Sequence, residues 1–469
     1  MTLQFVLLLA YSALLVGLGL WIGRRVSGTK DFFVAGRRLG PGLIFSTMLA
    51  ANIGGGSTVG ATGLGYAGGV AAWWWVGSAA VGSAILALWI GPAMRREAAA
   101  HDLRTVGDYL EYRYGPAVRA VIAGLLWVGA LFILAGQLFA MGVILETVAG
   151  IPSSAGVGIG GIVITAYFTA GGLLTSAWVN MVQLIVKLGG FTIALPLVLD
   201  RVGGVDALTR VRPDDAAYWS FWRPGPPGVM LVALLAPAFI VSPGLLQKIF
   251  GARDDRAVRI GVGLNALGLL MYAGVPVMLG ISARSLFPDL PLADLALPTI
   301  LLRALPPAVG ALGLAAVFSA EVSAADAVLF MLTTSLSQDL YKRFVNPAAT
   351  DARLLIVTRL TAIVGGAVSV TLAIELGSVL SALTIFYALL GVSLFVPIIA
   401  GLYIRQAGTR EALASIACGV ATMVAVRFLV GSGGIRGLTP ELCGLIAASV
   451  GFLAVFISRS KTYEPQRAV

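Results

Sequence analysis

Apolar runs of about 20 residues recur along this chain from residue 3 to residue 458, separated by short charged or Pro- and Gly-containing connections. That spacing limits the fold more than any other feature. Such a run, wound as an α-helix, rises about 30 Å, the thickness of the hydrocarbon layer of a bilayer. Inside hydrocarbon every backbone amide must find an internal partner, which a helix provides within one segment. The chain is 58% hydrophobic and 12% charged, against about 25% charged in soluble domains. It therefore reads as an all-α polytopic membrane protein, one membrane domain over residues 1–469 in contact with the lipid bilayer. About thirteen spans can be placed: 3–23, 41–63, 70–93, 116–148, 152–171, 175–199, 228–250, 258–283, 305–338, 355–375, 378–403, 411–430 and 440–458.

The charge pattern gives the spans a direction. Basic clusters such as Arg24–Arg25, Arg37–Arg38, Arg95–Arg96, Lys342–Arg343 and Arg459–Lys461 fall on alternate connections. The positive-inside rule then places the N-terminus outside and the C-terminus in the cytoplasm, in the plasma (inner) membrane. The net charge of +10 is spread over these clusters and forms no long basic stripe, so no nucleic-acid partner is expected. Arg24 and Arg25 follow the run at 3–23 and no basic residue precedes it, the pattern of a retained helix and not of a cleaved signal. The polar stretch 200–227 reads as an external loop between two halves. Cys418 and Cys443 lie inside late apolar runs and carry no disulfide or metal spacing. The single histidine, His101, stands in a charged connection without a nucleophile, and there is no phosphate-binding loop, so neither an enzyme nor an ATP-driven pump is indicated.

Two places interrupt the apolar runs. In "LAANIGGGSTVGATGLGYAGG", Gly54, Gly55 and Gly56 follow one another in mid-span, each weakening a helix by roughly 1 kcal/mol against Ala. In "FIVSPGLLQKIF", Pro243 removes a helix donor and Gly244 permits a turn. Non-helical backbone at membrane depth is tolerated only where protein or a water-filled cavity satisfies it. Interrupted helices at corresponding positions of two halves point to a midplane binding site. The plainer reading, that the glycines only allow close helix packing, accounts for a single glycine better than for two breaks flanked by polar residues.

The sequence resembles the solute:sodium symporter family, which has the leucine-transporter-like fold. The resemblance rests on "DFFVAGRRLGPG" (31–42), "AANIGGG" (50–56), "TAGGLLTSAWVNMVQ" (169–183), "QKIFGARD" (247–254) and "FSAEVSAADAVLFMLTTSLSQDLYKRF" (318–344). It implies a five-plus-five inverted repeat, here about 41–199 and 228–403, with an extra helix at 3–23 and two C-terminal helices at about 411–458. It also implies cation-coupled uptake of a small solute by alternating access, with Na+ as coupling ion. By the same resemblance a sodium site would be formed by the carbonyls of Ala50, Ile53 and Ala320 and the hydroxyl of Ser323. Residues 320 and 323 are roughly 300° apart around a helix and so share a face. Two of the family's cation-binding features are changed: the second hydroxyl is Ala324, and an Asp often present on the fifth repeat helix is Asn180.

Four groups in the spans are coupling candidates: Asn180, Lys187, Glu321 and Asp326. Asp326 lies on the face of Ser323, whereas Glu321, about 200° from it, is expected to point away. Intramembrane charges are costly unless paired or facing water, so Lys187 and Glu321 read either as a structural ion pair or as a protonatable coupling group. That leaves H+-coupled symport or uniport as alternatives, and a channel as a weaker one. For the solute, the positions at which sugar carriers of the family hold Glu and Ser are Val76 and Ala79, which disfavours a sugar. A choline-type aromatic cage lacks its tryptophan, replaced by Asn52, and Trp73–Trp75 read first as interface anchors. What remains is a small polar solute such as an amino acid, zwitterion or carboxylate, with Asn52, Gly55, Gly56, Ser57, Thr58 and Ser242 as its candidate contacts. The oligomeric state is not legible.

Overall fold

The structure, a computed structural model, describes residues 37–168, 172–224 and 228–463, with isolated positions 6, 10, 13, 14 and 17. The expected helix at 3–23 and the quoted residues 31–36 lie, apart from those positions, outside the described residues.

The first interrupted helix runs as α1 (Pro41–Asn52), a break, a π turn at Gly56–Gly60 and α2 (Ala61–Gly68). Then come α3 (Trp73–Ile85), continued through a π turn into α4 (Gly91–Ala100), the short α5 (Val106–Tyr114), α6 (Pro116–Ala149), α7 (Ser153–Phe168) and α8 (Gly172–Val202). Single turns α9 (Val205–Leu208) and α10 (Ala216–Trp219) lie in the connecting loop. The second interrupted helix is α11 (Leu231–Val241) and α12 (Pro243–Phe250). It is followed by α13 (Asp255–Tyr272), α14 (Gly274–Leu286), α15 (Ala296–Arg303), α16 (Pro307–Thr334, prolonged as a π-helix to Val345), α17 (Asp351–Leu376), α18 (Val379–Tyr403), α19 (Thr409–Leu429) and α20 (Pro440–Tyr463). Among the described residues, ten stretches are long and apolar enough to cross a membrane.

Local chemistry sets the ends of these helices. Thr105 caps α5 and Asp108 returns the bond, a capping box that satisfies two orphan amides. Asp254 Oδ1 accepts the Ala257 amide at 2.6 Å at the start of α13. Gly150 and Gly377, at φ 67° and 58°, end α6 and α17 in the left-handed conformation that glycine adopts without a Cβ penalty.

The beginning of the first interrupted helix meets the end of the second. Leu39 donates its amide to Gly251 O at 3.0 Å, Arg253 donates back to Leu39 O at 3.1 Å, and Arg37 donates to Phe250 O at 3.1 Å. The two broken helices are thus antiparallel partners. On the same side, buried Arg119 of α6 forms ion pairs with Asp108 (2.8 Å), Glu111 (2.8 Å) and Asp339 (2.7 Å), joining α5, α6 and the prolongation of α16. On the opposite side the connecting loop folds over α2 and α3: Tyr218 donates to Gly65 O at 2.9 Å and Trp74 Nε1 to Phe221 O at 2.9 Å. Helices α1, α6 and α8 all pack against α16, so both breaks face a common interior.

Candidate solute and cation site

The first break is built from its own polar groups. Ile53, at φ −90° and ψ 87°, leaves the helix. Gly54 O then accepts the amides of Ser57 (3.0 Å) and Thr58 (2.9 Å). Ser57 Oγ accepts the Gly54 amide at 2.9 Å and lies 2.9 Å from Asn52 O, to which it donates. The Gly55 amide donates to Gln137 Oε1 of α6 at 2.7 Å. The glycines are needed for close approach: a Cβ on Gly54 would lie 2.4 Å from Ala324 Cβ, one on Gly55 2.6 Å from Glu321 Oε2, and one on Gly56 2.2 Å from Leu383 Cδ2. Unwinding therefore brings bare backbone against α16 and α18. At the second break Ser242, at φ −55° and ψ 120°, stands before Pro243, whose missing N–H falls where a helix start does not need one.

The residues expected to form a sodium site do come together, and Lys187 of α8 comes with them. Its Nζ donates to Ala50 O at 2.5 Å, to Ile53 O at 3.0 Å and to Ser323 Oγ at 2.5 Å. Ser323 Oγ is also 2.8 Å from Ala50 O and 3.0 Å from Ala320 O, the remaining expected carbonyl. An ammonium has three N–H donors, and here all three are used. Hydrogen bonds to a charged group contribute about 1.5–3 kcal/mol each, and they act against a burial penalty of several kcal/mol for one ion. Tested against this geometry, a sodium ion does not fit beside Lys187, because its three oxygens already face a cation.

Glu321 behaves differently from the expectation drawn from helix angles. Its side chain reaches the broken helix, where Oε1 accepts from Thr58 Oγ1 at 2.9 Å; Thr58 Oγ1 also lies 2.9 Å from Gly54 O. Glu321 takes none of the three Lys187 hydrogen bonds, but its charge acts on the ammonium. Asn180, fully buried, sits on α8 two helical turns before Lys187.

Beside the cage, and separate from it, both breaks line one cavity of about 820 Å³, counting its open mouth. Of the six candidate solute contacts, Asn52, Gly56, Ser57 and Ser242 line it, and Gly55 and Thr58 are not part of its lining. Asn52 Nδ2 is held by Asn265 Oδ1 at 3.1 Å. Sequence reasoning missed Gln137, Lys248, Phe239 and Tyr387, all of which line the cavity. Lys248 is 3% exposed, donates to Thr47 O at 3.0 Å and feels the charge of Asp326. It stood in the quoted "QKIF" segment, and an ionisable residue so close after a helix break was signal enough to select it. The three adjacent tryptophans divide: Trp75 lines the cavity, and Trp73 and Trp74 pack on Phe221 of the connecting loop.

Two antiparallel broken helices whose breaks line one cavity define a secondary transporter with paired discontinuous helices. The sequence profile of the sodium:solute symporter family matches residues 32–419, and the chain belongs to that family. It is 24% identical to the high-affinity proline transporter PutP of Bacillus subtilis (strain 168), over 96% of this chain and 97% of that protein. It is 28% identical to the sodium/pantothenate symporter of Escherichia coli (strain K12), over 98% and 97% of the two chains. The fold matches that of a Na+-coupled sialic acid symporter in a substrate-bound outward-open state, with TM-score 0.82 and 17% identity over 97% of this chain and 98% of the other. The architecture is accordingly the leucine-transporter-like five-plus-five inverted repeat, and the protein is a membrane symporter of small solutes and not an enzyme.

Proposed function

We propose that this symporter takes up a small carboxylate-bearing solute, an amino acid or a related zwitterion or acid, through the cavity between the two breaks. The observation that carries the reading is Lys248, a nearly buried cation on the cavity wall. Its ammonium offers a carboxylate a donor, the polar side chains of Asn52, Ser57 and Ser242 share the same wall, and Phe239, Leu235 and Tyr387 offer an apolar wall to the rest of the molecule. Family membership supports sodium as the coupling ion, with an inward gradient driving uptake. The basic clusters of residues 95–96 and 342–343 support a cytoplasmic assignment for the Arg119 face, with the connecting loop outside. The same pattern supports repeats at about 41–199 and 228–403 and a cytoplasmic C-terminus.

The test is uptake and counterflow of radiolabelled amino acids and short carboxylates in proteoliposomes. Saturable counterflow of a carboxylate solute, lost in Lys248→Ala but not in Lys248→Arg, supports the proposal. Flux proportional to concentration without saturation would indicate a channel, and saturable transport indifferent to Lys248 would remove the carboxylate assignment.

A further inference from the structure

Chains of this family contain, by resemblance, a sodium cage between the first broken helix and α16. In this chain the same oxygens are the acceptors of Lys187. Ala50 O, Ile53 O and Ser323 Oγ lie 2.5, 3.0 and 2.5 Å from its Nζ, one for each N–H of the ammonium. Lys187 is completely buried, and Ala50, Ile53 and Ser323 are buried with it. The cage is distinct from the solute cavity, whose wall contains none of these four residues.

Changes in the cage chemistry accompany the lysine. The position that supplies a second hydroxyl in relatives of the family is Ala324, and the helix that supplies Lys187 has Asn180 where an acid is common. The first change removes a hydroxyl ligand from a free cation and the second replaces a charged carboxylate by a neutral amide, and neither removes an acceptor that the ammonium uses. Burial and the charge of Lys248 on α12 oppose the ammonium, and the charge of Glu321 on α16 favours it. Glu321 is anchored to the broken helix through Thr58.

We propose that the Lys187 ammonium is the resident cation of this cage, a tethered replacement for sodium, so that the protein binds no sodium between α1 and α16. The lysine links α8 to both the last turn of α1 and the middle of α16, the same joint that a free ion would make. Because the tether cannot leave, closure of α1 on α16 does not report the sodium concentration through this cage. The inference deepens the symport reading above, which leaves the place of the coupling ion open, and its test requires no transported solute.

The purified full-length protein is melted in NaCl and in KCl at equal ionic strength. A ligand that binds only the folded state raises its stability in proportion to the logarithm of its concentration over Kd. Any sodium-specific rise in the wild type is expected to be unchanged by Ser323→Ala, because a coupling sodium bound elsewhere does not use this cage. Lys187→Ala, which empties the cage and leaves its oxygens, is expected to gain a sodium-specific rise, and that rise is expected to vanish when Ser323→Ala is added. Should Lys187→Ala fail to fold, equilibrium binding of radioactive sodium to wild type and to Ser323→Ala decides the matter: no saturable binding that depends on Ser323 supports the proposal. A sodium-specific rise or saturable binding in the wild type that Ser323→Ala abolishes overturns it, as does a folded Lys187→Ala that gains no sodium response. Loss of solute counterflow in every condition would instead overturn the symport reading and leave the cage result standing.

Discussion

At the residue scale, the run Gly54–Gly55–Gly56 is required by contact as well as by helix breaking. A Cβ on Gly54 meets Ala324 Cβ at 2.4 Å, whereas one on Gly244, at the second break, meets nothing within 4 Å. Neither neighbour at Gly54 can yield easily, since Ala324 has no rotamer to change and Gln137 Oε1 is engaged by the Gly55 amide. Gly54→Ala is therefore expected to destabilise the folded protein by about 1–3 kcal/mol, the usual range for overpacking. Gly244→Ala is expected to leave the melting temperature nearly unchanged. Melting curves of the two variants in detergent check the contrast; equal behaviour would mean that the break is held by something other than contact with α16. The hydroxyl of Thr58 serves a related purpose, because it closes the turn on Gly54 O and holds Glu321 in the same bond network. Thr58→Val keeps its shape and removes the one hydroxyl proton that these two acceptors share, leaving a buried carboxylate short of a donor. A loss of about 1–3 kcal/mol is expected, measured by the same melts.

At the element scale, α5, α6 and the end of α16 are joined by charge and not by apolar packing alone. Arg119 faces Asp108, Glu111 and Asp339, and Glu111 also pairs with Arg343 at 2.5 Å. Asp339 is 3% exposed, so truncating Arg119 to Ala strands a buried carboxylate. Breaking one side of such a pair costs about 3–5 kcal/mol, and Arg119→Ala is expected to fall in that range, with part of the loss recovered in the double variant Arg119→Ala/Asp339→Asn. Glu111 gives the joint a pH dependence. Burial pushes its carboxyl up, but the hydrogen bonds of Arg343 and Arg119 and their charges outweigh burial and hold it below the usual carboxylate range. A depressed folded value means that the contribution is complete above the ordinary carboxylate pKa and is lost as pH falls through the lower folded value. Acid melts should thus lose less stability in Glu111→Gln than in wild type over that window. An identical acid profile for the two proteins would show that Glu111 is not part of the joint.

At the scale of the whole molecule, the two broken helices meet head to tail and their breaks bound one cavity, which suits rocking of one repeat against the other around a fixed site. A reporter at the second break should therefore see one side of the membrane at a time. With Cys418 and Cys443 replaced by Ser, Gly244→Cys is expected to react with a membrane-impermeant thiol reagent, more slowly once a transported solute is bound. Simultaneous and undiminished reaction from both faces of the membrane would contradict a carrier and favour an open pore.

Much of this was legible in the order of the residues. The apolar runs, the two breaks and the basic clusters are short-range signals: hydrocarbon thickness, helix propensity and loop charge act on consecutive residues and need no knowledge of neighbours in space. For that reason the broken helices appear at Gly54–Gly56 and at Ser242–Pro243, where the sequence alone determined them, and so does the all-helical membrane class. The shared face of Ala320 and Ser323 followed from the 3.6-residue period in the same way. Only the tertiary structure decided what faces what. Lys187 lies 137 residues from Ala50 and 136 from Ser323, and Thr58 lies 263 from Glu321. A helical period gives the angle of a side chain about its own axis, but not how that axis is rotated against its neighbours, and a lysine or glutamate side chain is long enough to reach around the face its Cα occupies. Hence Glu321, expected to point away, bonds the first break, Lys187 fills the cage that the resemblance had assigned to sodium, and Lys248 emerges on the cavity wall.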